Sequence, residues 1–471
     1  MVKIKSITFF NHPVFGSKTF DFTINNIAAD NIIFAGENGS GKTKLLEELN
    51  NAVSESYNVG DGRFKYPFTT NIILVDISAD DYYSFDDEKV KLDEITLTIS
   101  KNEGNNTYYG AVFKKNGTVI ENVKKHGLSE KLRSFKINGL YSNVDVNYKP
   151  RSNINGITNK MLDDNNYRSS NDLAYDVTQL LVDISTQDSC DMATWMRNNN
   201  FSKDLPANLR DPRMKRFTNA FKYIFGDKIE FHRIESNSIP TFKKNGKNID
   251  LSSMSSGEKQ IIFRGVYLLK NINSSKGVPV FIDEPEISMH PKWEDKIFDY
   301  YKNIFSENGD QTSQIFVATH SEHVLANALN KENCLVYKLD SNEKFYKGSS
   351  GNVLPTITLA EIKYSIFGIY TTDFHSLLYG YIQENLVPDK NGIMANNPSV
   401  KKTDDWLIKQ NVSKRKYHKV LNNGRIKCYK TLPTYIRNCV DHPDDAITYT
   451  YEDLKKSTDE MIKIVKGAVI V

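Results

Sequence analysis

The run Gly36-Glu37-Asn38-Gly39-Ser40-Gly41-Lys42-Thr43 fits the pattern G-x-x-x-x-G-K-[ST] at every fixed position. Glycines let a backbone bend until successive N–H groups point inward at phosphate oxygens. In that arrangement Gly36, Asn38, Gly39 and Gly41 form the cradle, and Lys42 reaches the β and γ phosphates. Thr43 offers its hydroxyl to Mg²⁺. An apolar run, Asn31-Ile32-Ile33-Phe34-Ala35, enters the turn. A helical stretch from Lys44 to Ala52 leaves it, adding the positive end of its dipole. A second chemical group is Val278-Pro279-Val280-Phe281-Ile282-Asp283-Glu284, an apolar run ending in two acids. Such a run suits a buried parallel strand, whose carboxyl end is where ligands sit in open α/β sheets. Asp283 would hold Mg²⁺, and Glu284 would polarise an attacking water as general base. Alone, two acids at a strand end are an ordinary solvated terminus; the Lys42 motif in the same chain decides for chemistry.

Leu251-Ser252-Ser253-Met254-Ser255-Ser256-Gly257-Glu258-Lys259-Gln260 leads into an apolar helix through Ile261, Ile262, Val266 and Leu269. Met254-Ser255-Ser256-Gly257-Glu258 resembles the LSGGQ signature of ABC-type ATPases, with Met254 and Ser256 in place of the usual Leu and Gly. It lies shortly before the Asp283-Glu284 strand, as in that family. The resemblance implies that Ser255 and Gly257 bind a γ-phosphate across a dimer interface, so that ATP glues two heads together. A plain Ser-rich helix cap is the other reading of the segment. Glu286-Ile287-Ser288-Met289-His290-Pro291 stands where the family has its D-loop. Asp283-Glu284-Pro285-Glu286, followed by His290-Pro291-Lys292-Trp293, resembles the variant of OLD-like and Septu-type prokaryotic ATPases. Gln314-Ile315-Phe316-Val317-Ala318-Thr319-His320-Ser321 ends like the family's switch strand, so His320 is the expected contact to the γ-phosphate. The family's Q-loop glutamine has no clear counterpart; its region is Gly139-Leu140-Tyr141-Ser142-Asn143.

These elements predict an α/β fold, a P-loop ATPase head of ABC/SMC-like type split in sequence. Its parts are residues 1–125 and 235–345, with an inserted lobe at 126–234 and a mainly helical C-terminal domain at 346–471. Strands are expected at Lys3–Phe10, Phe20–Phe22, Asn71–Asp76 and Glu94–Ser100. Tyr108–Phe113 and Thr118–Val123 flank Asn116-Gly117, a hairpin turn signal. Helices are expected at Asn171–Ile184 and Tyr451–Lys466. The middle lacks the heptads of a long coiled-coil arm. The N-terminal strands and the Pro285-Glu286 variant point away from a transporter head.

After residue 345 there is no pair of acidic strand ends of the Toprim kind found in OLD nucleases, and no HNH-like or Cys-rich metal centre. Arg437-Asn438 with His442 resembles the R-x4-H motif of HEPN ribonucleases, which implies a metal-free RNase with His as base and Arg on the phosphate. Lys409, Lys414, Arg415, Lys416, Lys419, Arg425, Lys427 and Lys430 interleave with Trp406, Tyr417 and Tyr429, a composition that suits single-stranded nucleic acid. Partner docking or a helical cap fits the segment equally.

The bulk numbers set outer bounds. The chain has 471 residues, a net charge of +3 and four cysteines without CxxC spacing. That charge by itself points to no nucleic-acid partner. No apolar stretch approaches the ~20 residues of a membrane span, and no signal-peptide pattern opens the chain. A cytoplasmic protein with reduced thiols and no zinc site is expected. The resemblance implies ATP and Mg²⁺ as ligands, and a homodimer or higher homo-oligomer through the heads. It further implies slow ATP hydrolysis and a sensor role that governs a separate partner nuclease in anti-phage defence. A RecF- or SMC-like DNA-repair ATPase and an ATP-gated HEPN-type ribonuclease are the alternatives.

Overall fold

Burial alternates strictly along Thr69–Val75, where Thr70, Ile72 and Leu74 are buried and their neighbours half-buried. Asn31–Ala35, Val280–Asp283 and Ile315–Ala318 are instead buried at every residue. The first pattern belongs to a sheet with one face on the core, the second to a sheet covered on both faces. The computed structural model contains both. It describes residues 1–54, 68–77, 83–85, 88–101, 107–124, 139–142, 173–199, 204–206, 210, 212–235, 239–270, 277–307, 309–347, 352–388, 398–420, 426–443 and 448–469. The chain divides into the units Met1–Tyr346 and Lys347–Val471.

In chain order the first unit begins with β1 (Lys3–His12), β2 (Gly16–Asp21), β3 (Asn31–Ala35) and α1 (Lys42–Ser54). Next come β4 (Thr69–Val75), β5 (Glu94–Lys101), β6 (Thr107–Lys115), β7 (Thr118–Lys124) and β8 (Leu140–Ser142). Helices α2 (Leu173–Asn198) and α3 (Pro212–Phe225) follow, then a small sheet of β9 (Ile229–Ile234), β10 (Pro240–Lys244) and β11 (Lys247–Asp250). The unit closes with α4 (Ser256–Lys270), β12 (Val280–Asp283), α5 (Pro291–Ile304), β13 (Ile315–Ala318), α6 (Glu322–Leu329), β14 (Cys334–Lys338) and β15 (Glu343–Phe345).

The one-sided sheet is antiparallel, in the order β7-β6-β5-β4-β1-β2. Its β6–β7 turn carries Asn116 and Gly117 at φ +50° and +75°, the left-handed pair that a tight hairpin needs. The covered sheet has the order β8-β12-β13-β3-β14-β15 and is parallel except for β15. A core of Phe9, Phe20, Phe22, Phe34, Leu45, Leu49 and Phe316 joins the two sheets to α1. Gln314 stitches the sheets together, accepting from Ile4 N at 2.7 Å and donating to Ala29 O at 2.7 Å. Between β8 and β9, buried Asp188 on α2 accepts from the backbone of Met214 and pairs with Arg213 at 2.8 Å, so it caps α3. Among the described residues, no helix is long and apolar enough to cross a membrane.

The second unit holds α7 (Leu359–Ser365), α8 (Thr372–Asn385), α9 (Val400–Lys409), α10 (Leu432–Asp441) and α11 (Tyr451–Val469). It is mainly helical, but the basic segment builds a hairpin, β16 (Lys414–Val420) with β17 (Ile426–Thr431). The reason is local alternation: Lys416 and His418 are exposed and Tyr417 between them is buried. The aromatic residues of this segment turn inward. Tyr417 and Tyr429 pack with Leu432, Tyr435 and Ile436, and Trp406 packs against Leu407, Met461 and their neighbours. Of the three aromatic residues expected to offer a stacking surface, Tyr417 is buried and Trp406 and Tyr429 are half-buried against these cores. Arg425 lies outside them.

Candidate nucleotide site

Strand β3 delivers the chain to the glycine turn at the carboxyl edge of the parallel sheet. Gly36, Gly39 and Gly41 take φ of +145°, +83° and +92°. Two of them also lack room for a side chain. A Cβ on Gly36 would lie 3.0 Å from Ser40 Oγ and 3.1 Å from Asp340 Oδ1, and one on Gly41 would lie 2.9 Å from the Phe15 ring. Lys42 is the first residue of α1 and is 5% exposed. Its ammonium donates to Gly36 O at 3.0 Å, Glu37 O at 2.8 Å and Ser40 Oγ at 3.4 Å, so it points into the loop. Burial lowers its pKa, while Glu284, Asp340, Asp283 and Glu286 pull the other way.

Asp283 closes β12 and is fully buried. Thr43 Oγ1 donates to its Oδ1 at 3.2 Å. Its other oxygen, Oδ2, is buried with no hydrogen-bond partner among the described residues. Burial pushes the carboxyl up to about 6, against the Thr43 hydrogen bond, with Glu284 adding to the rise. A buried carboxylate oxygen without a donor, beside a threonine hydroxyl, fits a divalent cation. Thr43 and Asp283 would hold Mg²⁺ there, and the ion when bound would neutralise charge on the phosphates.

At Glu284 the strand turns sharply, with φ +41° at a non-glycine residue. Its N–H donates to Ala318 O at 2.9 Å, and the guanidinium of Arg264 donates to its carbonyl at 3.1 Å. The side chain stays 30% exposed, and Oε1 lies 3.5 Å from Nε2 of His320. Burial lowers the His320 pKa, Lys42 lowers it further, and Glu284 opposes both. The imidazole is thus neutral near pH 7, able to present either a donor or an acceptor. Lys42, Thr43, Asp283, Glu284 and His320 therefore lie at neighbouring carboxyl ends of β3, β12 and β13, as the sequence predicts.

The signature segment holds its shape by a capping box. Ser255 N donates to Glu258 Oε2 at 2.9 Å, and Glu258 N donates back to Ser255 Oγ at 3.4 Å. Lys244 pairs with Glu258 at 2.7 Å. Gly257 has a packing reason within the chain, because a Cβ there would lie 2.5 Å from Ser288 O. Ser255 and Ser256 are exposed at the start of α4. Of the Q-loop region, Leu140–Ser142 forms β8 beside β12, and Asn143 lies outside the described residues.

The sequence assigns no role to Glu286 and gives no place in the site to Arg264 or Asp340. Glu286 accepts from Thr319 Oγ1 at 2.6 Å, His320 N at 2.8 Å and Ser321 N at 3.1 Å. Arg264, fully buried, holds the Glu284 carbonyl. Asp340 crowds Gly36. The only signal for Arg264 was a charge inside the apolar run Ile261-Ile262-Phe263-Arg264. For Asp340 there was none. In the second unit, Arg437 Nη2 pairs with Asp441 Oδ2 at 2.7 Å along α10. His442 is the exposed C-cap residue of that helix, its N–H donating to Asn438 O at 3.0 Å.

The family model described as "AAA domain, putative AbiEii toxin, Type IV TA system" matches residues 32–326. No curated protein matches the chain. Solved SMC heads are similar at low identity. An SmcHead bound to the C-winged helix domain of ScpA is 14% identical over 71% of this chain and 93% of its own, with a TM-score of 0.39. The Pyrococcus furiosus Smc head with an extended coiled coil, bound to the C-terminal domain of ScpA, is 13% identical over 73% of this chain and 96% of its own, with a TM-score of 0.41. The Thermotoga maritima SMC head domain is 14% identical over 71% and 94%, with a TM-score of 0.36. The family match spans the glycine cradle, the signature, the acid pair and the switch histidine, and the chain belongs to this AAA-domain family of P-loop ATPases.

Proposed function

We propose that this chain binds ATP with Mg²⁺ and hydrolyses it slowly, and that two heads sandwich the nucleotide. Lys42 and the backbone of Gly36–Thr43 grip the phosphates. Glu284 orients the attacking water and takes its proton, and His320 contacts the γ-phosphate. Ser255 and Gly257 of one copy complete the site of the other. The carrying observation is the Asp283 carboxylate, buried beside Thr43 with Oδ2 unpartnered, in the same site as the Glu284–His320 approach of 3.5 Å. A site built only for structure would satisfy that oxygen from the protein. The test is steady-state ATP turnover by wild type, Lys42→Ala and Glu284→Gln. Turnover in Glu284→Gln equal to wild type would refute the base assignment.

In this reading the head is made of residues 1–125 and 235–345, around a lobe at 126–234. The domain at 346–471 carries the output. The role is that of a cytoplasmic sensor that restrains or activates a separate nuclease in anti-phage defence. The Asp283-Glu284-Pro285-Glu286 variant supports this, as does a family description that names a toxin of a "Type IV TA system". Co-expression with the neighbouring genes of its operon and co-purification test it. A chain that emerges alone, with no nuclease attached, would count against the defence role and favour a RecF- or SMC-like repair ATPase. That alternative predicts DNA-stimulated turnover with a steep salt dependence.

A further inference from the structure

We propose that Glu286 is a positioning residue for ATP hydrolysis, holding the backbone of His320 in place for the ring to work beside Glu284. The inference rests on the ATPase reading of the site above. Strand β13 ends at Ala318 and helix α6 begins at Glu322, so residues 319–321 belong to neither. Thr319 N still finds Phe34 O at 3.1 Å. The N–H groups of His320 and Ser321 have no ladder or helix partner, and both donate to Glu286 Oε1. The Thr319 hydroxyl donates to the same oxygen. One carboxylate oxygen thus gathers three donors of the switch segment, while Ser321 N also donates to Thr319 Oγ1 at 2.9 Å and Ser321 Oγ to Glu294 Oε2 at 2.5 Å, so the His320 N–H is the donor that depends on Glu286 alone.

Glu286 is itself anchored to the catalytic end of β12. The turn after Glu284 is closed by Ile287 N to Glu284 O at 3.3 Å and Met289 N to Glu286 O at 3.0 Å. Gly257 packs against Ser288 O in the same turn. His320 is therefore held at two points from one short turn, its backbone by Glu286 and its ring by the approach of Glu284. Removing the carboxylate strands the His320 N–H, leaves Ser321 N with Thr319 Oγ1 alone at 2.9 Å, and lets the segment shift to satisfy the lost bond. A displacement of about 1 Å at a catalytic group costs on the order of 100-fold in rate. The second oxygen, Oε2, is buried without a hydrogen-bond partner among the described residues. A glutamine can keep its carbonyl at the Oε1 position and place its amide where Oε2 lies, so the three bonds survive loss of the charge.

The experiment measures kcat, KM and ATP affinity of the full chain for Glu286→Ala, Glu286→Asp, Glu286→Gln, His320→Ala and the Glu286→Ala/His320→Ala pair, with unfolding midpoints alongside. Glu286→Ala should lower kcat by about 10- to 100-fold, with ATP affinity within about twofold of wild type. Glu286→Asp, which keeps the charge but withdraws the acceptor by one methylene, should fall similarly and stands in if the alanine variant does not fold. Glu286→Gln should recover most of the rate. In the His320→Ala background, loss of Glu286 should have no further effect, because the two act as one unit. Full additivity in the double variant, or wild-type turnover in Glu286→Ala and Glu286→Asp, would overturn the assignment while leaving the ATPase reading intact. Wild-type turnover no higher than that of Lys42→Ala would overturn both.

Discussion

Asp283 makes a quantitative prediction about the protein without nucleotide. Its carboxyl is raised from 3.8 to about 6 by burial. The folded state therefore holds a proton that the unfolded state has released over that interval. The sign follows: this proton stabilises the fold below the unfolded pKa, and the stabilisation is lost as pH rises through about 6. At about 1.36 kcal/mol for each pH unit between the two pKa values, the full loss is about 3 kcal/mol. About half of it falls above pH 5, so on the order of 1 kcal/mol is lost between pH 5 and 8, most of it before pH 6. Asp283→Asn removes this titration. The Asn amide at the Oδ2 position carries its own burial cost of about 1–3 kcal/mol, but that cost does not vary with pH. Urea unfolding of wild type and Asp283→Asn at half-unit intervals from pH 5 to 8, without ATP or Mg²⁺, isolates the difference, since every other group titrates in both proteins. Wild type should lose on the order of 1 kcal/mol relative to the variant on going up the series. With Mg²⁺ and ATP present, wild type should gain more stability through binding than the variant, which keeps the phosphate cradle but loses a ligand to the ion. A difference that is flat with pH, or that moves the other way, would refute the buried, unpartnered carboxylate on which the metal assignment stands.

Other consequences are simpler to read. Lys42→Ala should abolish binding of a fluorescent ATP analogue measured by anisotropy, because the phosphates lose the one ammonium inside the loop. Glu284→Gln should bind that analogue like wild type yet turn over ATP about 100-fold more slowly. Gly257→Ala should lower stability by about 1–3 kcal/mol in urea unfolding, since the methyl meets Ser288 O and backbone has to move. Under the proposed reading, the chain alone with ATP and Mg²⁺ leaves labelled tRNA and plasmid intact, as does His442→Ala. RNA cleavage lost in that variant would instead make the chain its own effector.

Much of the nucleotide site was legible because its signals are contiguous. The glycine cradle, the acids at the end of an apolar run and the histidine after another each occupy fewer than about ten residues, so local pattern suffices. The helices were legible in kind but not in length: the apolar spacing after Asn171 implied an end near Ile184, whereas α2 runs from Leu173 to Asn198. Its later turns are kept by tertiary bonds, notably Asp188 to the start of α3, which no helical pattern announces. The basic stretch 401–430 hides the placing of its aromatic rings for a related reason. Lysines and tyrosines in alternation look the same whether the rings face solvent or core, and only packing against α10 and α11 turns Tyr417 inward.

By itself, then, the amino-acid order determined the phosphate cradle, the acid pair and the alternation of strand and helix, since each depends on neighbours along the chain. Tertiary structure alone decided which side chains answer one another across it. Thr43 meets Asp283 from 240 residues away, and Glu286 takes up the backbone of His320 from 34 residues away. Gly257 leaves space for the carbonyl of Ser288. The physical reason is that an unpaired N–H or carboxylate names no partner in sequence. It finds one only when parallel strands bring their carboxyl ends to a common edge.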